Sequence, residues 1–211
     1  MRIFVIHYKK LIDRKEHILD QFKKYNITDY EFVEIDRDEL DDTSMFQENF
    51  STSQIAIALS HFYAYKQISE TYAHGLILED DIILSNDFEN IFNKYLSQLP
   101  EDYDLFFIGD GCNLHIEPHR LVTNKYVYEK CLYPTRWGGD GASRCTDSYL
   151  VSKKCATKMC SYINNLTYKI NMPVDWFLNV VARDNKLNAY WAEPTIVTQG
   201  TQNGIFNSSH W

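Results

Sequence analysis

Three consecutive carboxylates, Glu79-Asp80-Asp81, follow the apolar run Leu76-Ile77-Leu78 and precede Ile82-Ile83. The run reads as a buried strand with the acids set into its C-terminal end. Side chains alternate faces along a strand, so Glu79 and Asp81 are expected on one side and Asp80 on the other. Two carboxylates about 4 Å apart repel by roughly 4 kcal/mol at an effective dielectric of about 20, so keeping both ionised requires a counter-cation. Hard oxygen donors suit magnesium or manganese, and open α/β sheets bind ligands beyond the carboxyl ends of their strands. The chemistry expected of the triplet is that of a metal and nucleotide site. The alternative is a solvated turn or the N-cap of the next helix.

The elements that must position these acids are legible on either side. Arg2-Ile3-Phe4-Val5-Ile6 reads as a first strand, followed by a helix opened by Asp13 with Glu16 three residues on. A second strand, Tyr30 to Ile35, runs into the acidic turn Asp36-Arg37-Asp38-Glu39, which gives a β-α-β opening. Residues 37–50 read as a polar surface excursion. Ser51 with Gln54 forms a capping box for a helix marked by Ile55, Leu59, Phe62 and Tyr63, expected to stop near His74-Gly75. Beyond the triplet, Phe88, Ile91, Phe92, Tyr95, Leu96 and Leu99 make a helical stripe closed by Pro100, and Tyr103 to Ile108 is the next strand. Tyr149-Leu150-Val151 reads as a strand leading into a helix capped by Ser152 with Cys155, Met159 and Ile163 inward. Pro173 opens another helix, and Leu187 to Ala192 is expected as the last strand. The loop Arg136-Trp137-Gly138-Gly139-Asp140-Gly141-Ala142 is either a mobile cover or an ordinary turn.

Composition narrows the function classes. A chain of 211 residues with 45% hydrophobic and 15% aromatic residues can bury a substantial core, and nothing reads as a linker, so one α/β domain over residues 1–211 is expected. A net charge of -8 argues against nucleic acid or an anionic membrane as partner. The apolar start Ile3-Phe4-Val5-Ile6 is too short for a signal sequence and no run approaches about 18 apolar residues. Five Cys (Cys112, Cys131, Cys145, Cys155, Cys160) show no CxxC pair, so reduced thiols are expected. A cytoplasmic location, peripheral to a membrane or within a larger assembly, is the expectation that follows.

Taken together, the blocks Phe4-Val5-Ile6-His7 with Arg14, Ser53-Gln54-Ile55-Ala56-Ile57-Ala58-Leu59-Ser60-His61, Leu76-Ile77-Leu78-Glu79-Asp80-Asp81, Tyr103 to Gly109, Ser148 to Lys154, Pro173-Val174-Asp175 and the Gln199 tail resemble glycosyltransferase family 25, which includes lipooligosaccharide and procollagen galactosyltransferases. Each block is weak alone, and their common order is specific. The resemblance implies a GT-A type α/β fold with a mixed, mainly parallel sheet, a UDP-sugar donor, Mn2+ or Mg2+, and inversion at the anomeric carbon. It implies transfer of galactose or a similar hexose to a glycan or to a protein- or lipid-linked acceptor. Ala56-Ile57-Ala58 departs from the small pair usual in the family, and residues 36–50 follow no family pattern.

Carried onto this sequence, the resemblance makes Asp81 the direct metal ligand, with Glu79 or Asp80 helping through water or the donor ribose. His210 is a late metal-ligand candidate or a terminal histidine. Ser60 and His61 precede the acidic strand and are donor-site candidates, His61 otherwise being a structural histidine. His7 and Arg14 flank the turn after the first strand, where Arg14 could hold a phosphate bidentately. Asp36 is a candidate uracil or ribose contact. Asp175 is the first candidate for the general base, with Asp147 and Asp110 in reserve; an acid in a first helical turn is also what the helix dipole favours. Trp176 and Trp137 stack on sugars or sit in the core. A non-catalytic GT-A-like domain that binds a glycan or partner is the alternative class. A sugar nucleotidyltransferase would want a glycine-rich loop after the first strand, and His7-Tyr8-Lys9-Lys10-Leu11 has none.

Overall fold

A computed structural model describes residues 1–130, 141 and 143–208. In chain order the elements are β1 (Arg2–Ile6), α1 (Ile12–Lys24), β2 (Tyr30–Val33), α2 (Thr52–Thr71), β3 (His74–Glu79), β4 (Ile82–Leu84), α3 (Phe88–Leu96), β5 (Leu105–Phe107), β6 (Val127–Glu129), β7 (Ser148–Ser152), α4 (Lys153–Asn164), α5 (Val174–Asp184), β8 (Ala189–Ala192) and β9 (Val197–Gln199). The main sheet has strand order β2-β1-β3-β7-β5-β8-β6, and β4 pairs with β9 in a second, two-stranded sheet. Strands β1, β2 and β3 are mutually parallel, β5 and β8 are parallel, and β7 and β6 run antiparallel to their neighbours. This is the expected α/β class, with a mixed, mainly parallel central sheet.

Strand alternation divides the core in two. Phe4, Ile77, Leu105, Phe107, Tyr149 and Val151 face α2, α4 and α5, while Ile3, Val5, Leu76, Leu78, Phe106 and Leu150 face α1 and α3. These strands are apolar throughout because both faces are covered. Helix α1 joins β1 to β2 on one face and α2 joins β2 to β3 on the other, so the connection changes side at β1. In an open sheet that change leaves a crevice beyond the carboxyl ends of the strands flanking it. Ile6 at the end of β1 is in register with Glu79 at the end of β3, which brings His7 and the acidic triplet to that crevice.

Four local expectations are corrected. The stretch Leu76–Ile83 is two strands, not one: β3 ends at Glu79, Asp80-Asp81 make a turn, and Ile82 starts β4, which leaves the main sheet to pair with β9. Asp13 does not cap α1, which starts at Ile12 with Leu11 at the cap and no side-chain cap bond; Asp13 lies in the first turn, where the helix dipole favours an acid. Helix α2 ends at Thr71, short of His74-Gly75. Gly75 serves close packing instead, since a Cβ there would come within 2.6 Å of Ile68 Cγ1. Finally, β8 is followed by β9, whose pairing with β4 returns the polar tail to the triplet. Ser51 caps α2 and Ser152 caps α4 as expected, each hydroxyl accepting from the backbone N–H three residues on. Among the described residues no helix is long and apolar enough to cross a membrane.

Candidate active site

The crevice opens into a cleft of about 460 Å³ whose lining includes His7, Tyr8, Arg14, Arg37, Ser60, Glu79, Asp80, Asp81, Asp175 and Trp176. Eight sequence candidates meet there: His7, Arg14, Ser60, Glu79, Asp80, Asp81, Asp175 and Trp176. They come from five places distant in sequence, the ends of β1 and β3 and the helices α1, α2 and α5, gathered because β1 and β3 end side by side and the three helices border the same opening.

The three acids of the triplet have different tasks. Asp80 is buried and fully engaged: His7 Nδ1 donates to its Oδ2 at 2.8 Å and Arg14 Nη1 donates to its Oδ1 at 2.7 Å. Asp81 is buried too, but only its Oδ2 is occupied, by the Thr201 hydroxyl and backbone N–H; its Oδ1 has no hydrogen-bond partner. A buried carboxylate oxygen left bare is costly unless something binds it. Glu79 accepts from the Thr146 hydroxyl at 2.9 Å, and its backbone N–H donates to Asp147 O at 2.8 Å. Burial drives the Glu79 carboxyl well above the ordinary carboxylate range, with the charges of Asp81 and Asp147 adding to the shift. Its side chain keeps 25% exposure toward the cleft, which tempers that effect.

Behind the triplet lie two further acids. Asp147 is fully buried, its Oδ2 accepts from Ser148 Oγ at 2.9 Å and its Oδ1 has no partner; burial lifts it to about 8, with Asp110 and Asp81 contributing repulsion. Burial also raises Asp110. Gly109 makes room for Asp147, since a Cβ at that position would fall 1.8 Å from Asp147 Oδ2.

The bare Oδ1 of Asp81 and the electrostatically loaded Glu79 fit a divalent cation. Among the described residues no group of three or more His, Cys, Asp or Glu side chains is assembled for one. That pattern suits magnesium or manganese held by one or two carboxylates, with diphosphate and water completing the sphere.

Several candidates are placed differently from expectation. Arg14 is committed to Asp80, to Thr201 Oγ1 at 3.2 Å and to Asn207 O at 2.6 Å, so it fastens the C-terminal segment to the triplet. A phosphate would have to compete with a buried carboxylate for it. Asp80 is likewise the anchor of Arg14 and His7, not an open ligand. His61 is fully buried and does not line the cleft: its Nδ1 lies 2.8 Å from Tyr149 Oη, which lies 2.6 Å from Tyr65 Oη, and its Nε2 approaches Glu79 Oε1 only to 4.0 Å. Burial holds it neutral with a pKa of about 3. It is thus a structural histidine behind Glu79. Asp36 does not line the cleft and pairs with Lys9 Nζ at 2.6 Å. Ser60 borders the cleft but donates its hydroxyl to Ala56 O. His210 and Trp137 lie outside the described residues, as does most of the glycine loop.

Sequence reading missed the contribution of the segment after β9. Gly200 N donates to Asp81 O at 2.6 Å and Thr201 holds the Asp81 carboxylate. Arg14 stacks over Phe206 at 5.4 Å, and Phe206 packs edge-on against His17 at 5.1 Å. The only local signal was the Gln199-Gly200-Thr201 tripeptide, because no periodicity ties residue 201 to residue 81. Tyr8 and Arg37 were also missed; they meet at the cleft rim, the Arg37 guanidinium 4.0 Å from the Tyr8 ring centre.

Comparison with known proteins places the chain. It is 22% identical over 235 residues to a procollagen lysyl hydroxylase and glycosyltransferase of Acanthamoeba polyphaga mimivirus, covering 93% of this chain but 24% of that protein. The chain therefore spans about a quarter of that relative's length. Among solved structures it is similar to Drosophila β1,4-galactosyltransferase 7 in complex with manganese, UDP-Gal and xylobiose (15% identity, 92% of this chain and 65% of that one, TM-score 0.46). It is also similar to a glycosyltransferase involved in glycosylation of the major capsid of PBCV-1 (10% identity, 92% and 93%, TM-score 0.45). The family model described as glycosyltransferase family 25 (LPS biosynthesis protein) matches residues 1–178, a span that contains the triplet, both capped helices and Asp175, and on that match the chain belongs to glycosyltransferase family 25.

Proposed function

We propose that the chain is a metal-assisted, inverting glycosyltransferase that moves a hexose, galactose or a similar sugar, from a UDP-sugar to a hydroxyl acceptor on a glycan or glycosylated protein or lipid. The observation that carries this reading is the buried, unpartnered Oδ1 of Asp81 at the mouth of the cleft. Asp81, helped by Glu79, would hold the cation; Thr201 fixes the Asp81 carboxylate by its other oxygen, so Oδ1 keeps one direction. When bound, a divalent cation stabilises the negative charge that grows on the departing diphosphate.

The chain's own groups supply the remainder. Thr146 orients Glu79, and Arg14 and His7 hold Asp80 so that the turn carrying Asp81 does not shift. Asp175, in the first turn of α5, receives the acceptor proton as the acceptor oxygen bonds to the anomeric carbon and the carbon–phosphate oxygen bond breaks, releasing UDP from the opposite face. Its backbone is fixed by Ser143 Oγ, which donates to Asp175 O at 3.0 Å.

The test is a thermal-shift series with UDP and UDP-sugars, each with manganese or with a chelator. A ligand at about a hundred times its dissociation constant adds roughly 2.7 kcal/mol, several degrees for a chain of this size. A UDP shift that disappears with chelator and in Asp81→Asn supports the reading. No shift with any nucleotide overturns it in favour of a non-catalytic binding domain.

A further inference from the structure

The Nε2 atom of His61 is buried without a hydrogen-bond partner, yet it lies 4.0 Å from Glu79 Oε1. A ring nitrogen left bare in a core is costly, so its state needs an account. Helix α2 sets His61 and Tyr65 four residues apart, on one face, and Tyr149 of β7 meets both. Burial holds the two phenols well above their ordinary range, so each keeps its proton.

Counting donors in this row fixes the tautomer. With the hydrogen on Nδ1, that N–H would donate to Tyr149 Oη at 2.8 Å, and of the two phenols, whose oxygens are 2.6 Å apart, only one could donate to the other. One buried O–H would lack an acceptor, and the Nε2 lone pair would face a carboxylate oxygen. With the hydrogen on Nε2 each donor finds a place: Tyr65 donates to Tyr149, Tyr149 donates to His61 Nδ1, and the Nε2–H is left for Glu79. The rings hold this order, since His61 stacks on Tyr149 at 5.8 Å and Tyr149 on Phe107 at 5.3 Å. Glu79 Oε1 already accepts from Thr146 Oγ1 at 2.9 Å. A carboxylate oxygen has two acceptor positions, so a second donor at Oε1 fills both and leaves Oε2 for the cleft. Closing 4.0 Å to an ordinary N–H···O distance takes about 1 Å, within reach of a rotation of the partly exposed Glu79 side chain.

Resting on the metal-assisted transfer reading, we infer that His61 is a positioning residue for the cation site: its Nε2–H donates to Glu79 Oε1 when Glu79 takes up the metal, and so fixes the carboxylate that stands beside Asp81. The amide of Gln reaches the Nε2 position and the amide of Asn only the Nδ1 position, which separates the bond to Glu79 from the bond to Tyr149. Mn2+ titrations with UDP present, read from the electron paramagnetic resonance of free Mn2+, compare wild type, His61→Gln and His61→Asn. His61→Asn is expected to weaken Mn2+ binding about ten- to a hundredfold, while His61→Gln stays within about threefold of wild type. In parallel, the imidazole nitrogen NMR spectrum of the metal-free wild type gives the tautomer, the His61 signals being assigned by their loss in His61→Gln. The Nε2–H pattern is expected. The Nδ1–H pattern overturns the inference even where His61→Asn fails to fold, and so does an equal Mn2+ affinity in the two variants. A wild type that takes up no Mn2+ beside UDP overturns the transfer reading, and this inference with it.

Discussion

Arg14 and Asp80, on α1 and in the turn after β3, form a buried ion pair, with Arg14 Nη1 donating to Asp80 Oδ1 at 2.7 Å. His7 closes the other side of the same carboxylate. The pair separates the middle acid of the triplet from its neighbours: Asp80 is charge-compensated by protein, while Asp81 keeps an unpartnered Oδ1 and Glu79 accepts from the Thr146 hydroxyl. Through Asn207 O and Thr201, the same guanidinium also fastens the segment after β9 over the site.

Removing one member of that pair leaves an uncompensated buried charge. Arg14→Ala is expected to cost about 3–5 kcal/mol in denaturant unfolding, and adding Asp80→Ala should cost less than the sum of the two single changes. Additive costs would show that the two side chains do not act as a pair.

Asp81→Asn keeps an oxygen for the Thr201 hydroxyl while losing the charge offered to a cation. Transfer is expected to fall at least about a hundredfold, with the unfolding midpoint within a few degrees of wild type, because the Asp81 Oδ1 atom has no protein partner to lose. Steady-state transfer rates beside a thermal melt check both halves.

Asp175→Asn should lower kcat by about a hundredfold or more while the manganese-dependent UDP shift persists, since a general base acts on the acceptor and not on the nucleotide. Loss of nucleotide binding in this variant would give Asp175 a different role.

His61 has a folded pKa of about 3, below its ordinary value, because it is buried. Between that pKa and about 6.5 the unfolded chain binds the extra proton at this side chain, so the contribution of His61 to stability falls as pH falls through this window, by roughly 2 kcal/mol from pH 6.5 to pH 5. Asp147, raised to about 8, acts in the opposite sense over the same window. His61→Gln, which removes only the histidine titration, should raise the stability at pH 5 relative to that at pH 6.5 by about that amount compared with wild type, read by urea unfolding at the two pH values.

Gly200 leaves no space for a side chain: a Cβ would sit 2.7 Å from Phe206 Cδ2 and 2.9 Å from Asp81 O. Gly200→Ala is expected to push Phe206 away from His17 and to destabilise by about 1–3 kcal/mol. Faster proteolysis within residues 200–208 would register the loosened segment.

The sequence by itself determined the α/β class, the triplet and the two serine-capped helices, because each is written in local chemistry: apolar strand runs, adjacent carboxylates, a hydroxyl three residues before an N–H. It also carried the ordered blocks that mark the family. What each acid does was decided only in three dimensions. Whether Glu79, Asp80 or Asp81 is free depends on which partners arrive from Arg14, Thr146 and Thr201, residues 66, 67 and 120 positions away from their respective acids. No periodicity encodes such separations. The crossover at β1 and the β4–β9 pairing set them, and burial then turned His61 from a candidate ligand into a neutral support, because a side chain's environment belongs to the packed core and not to its place in the chain.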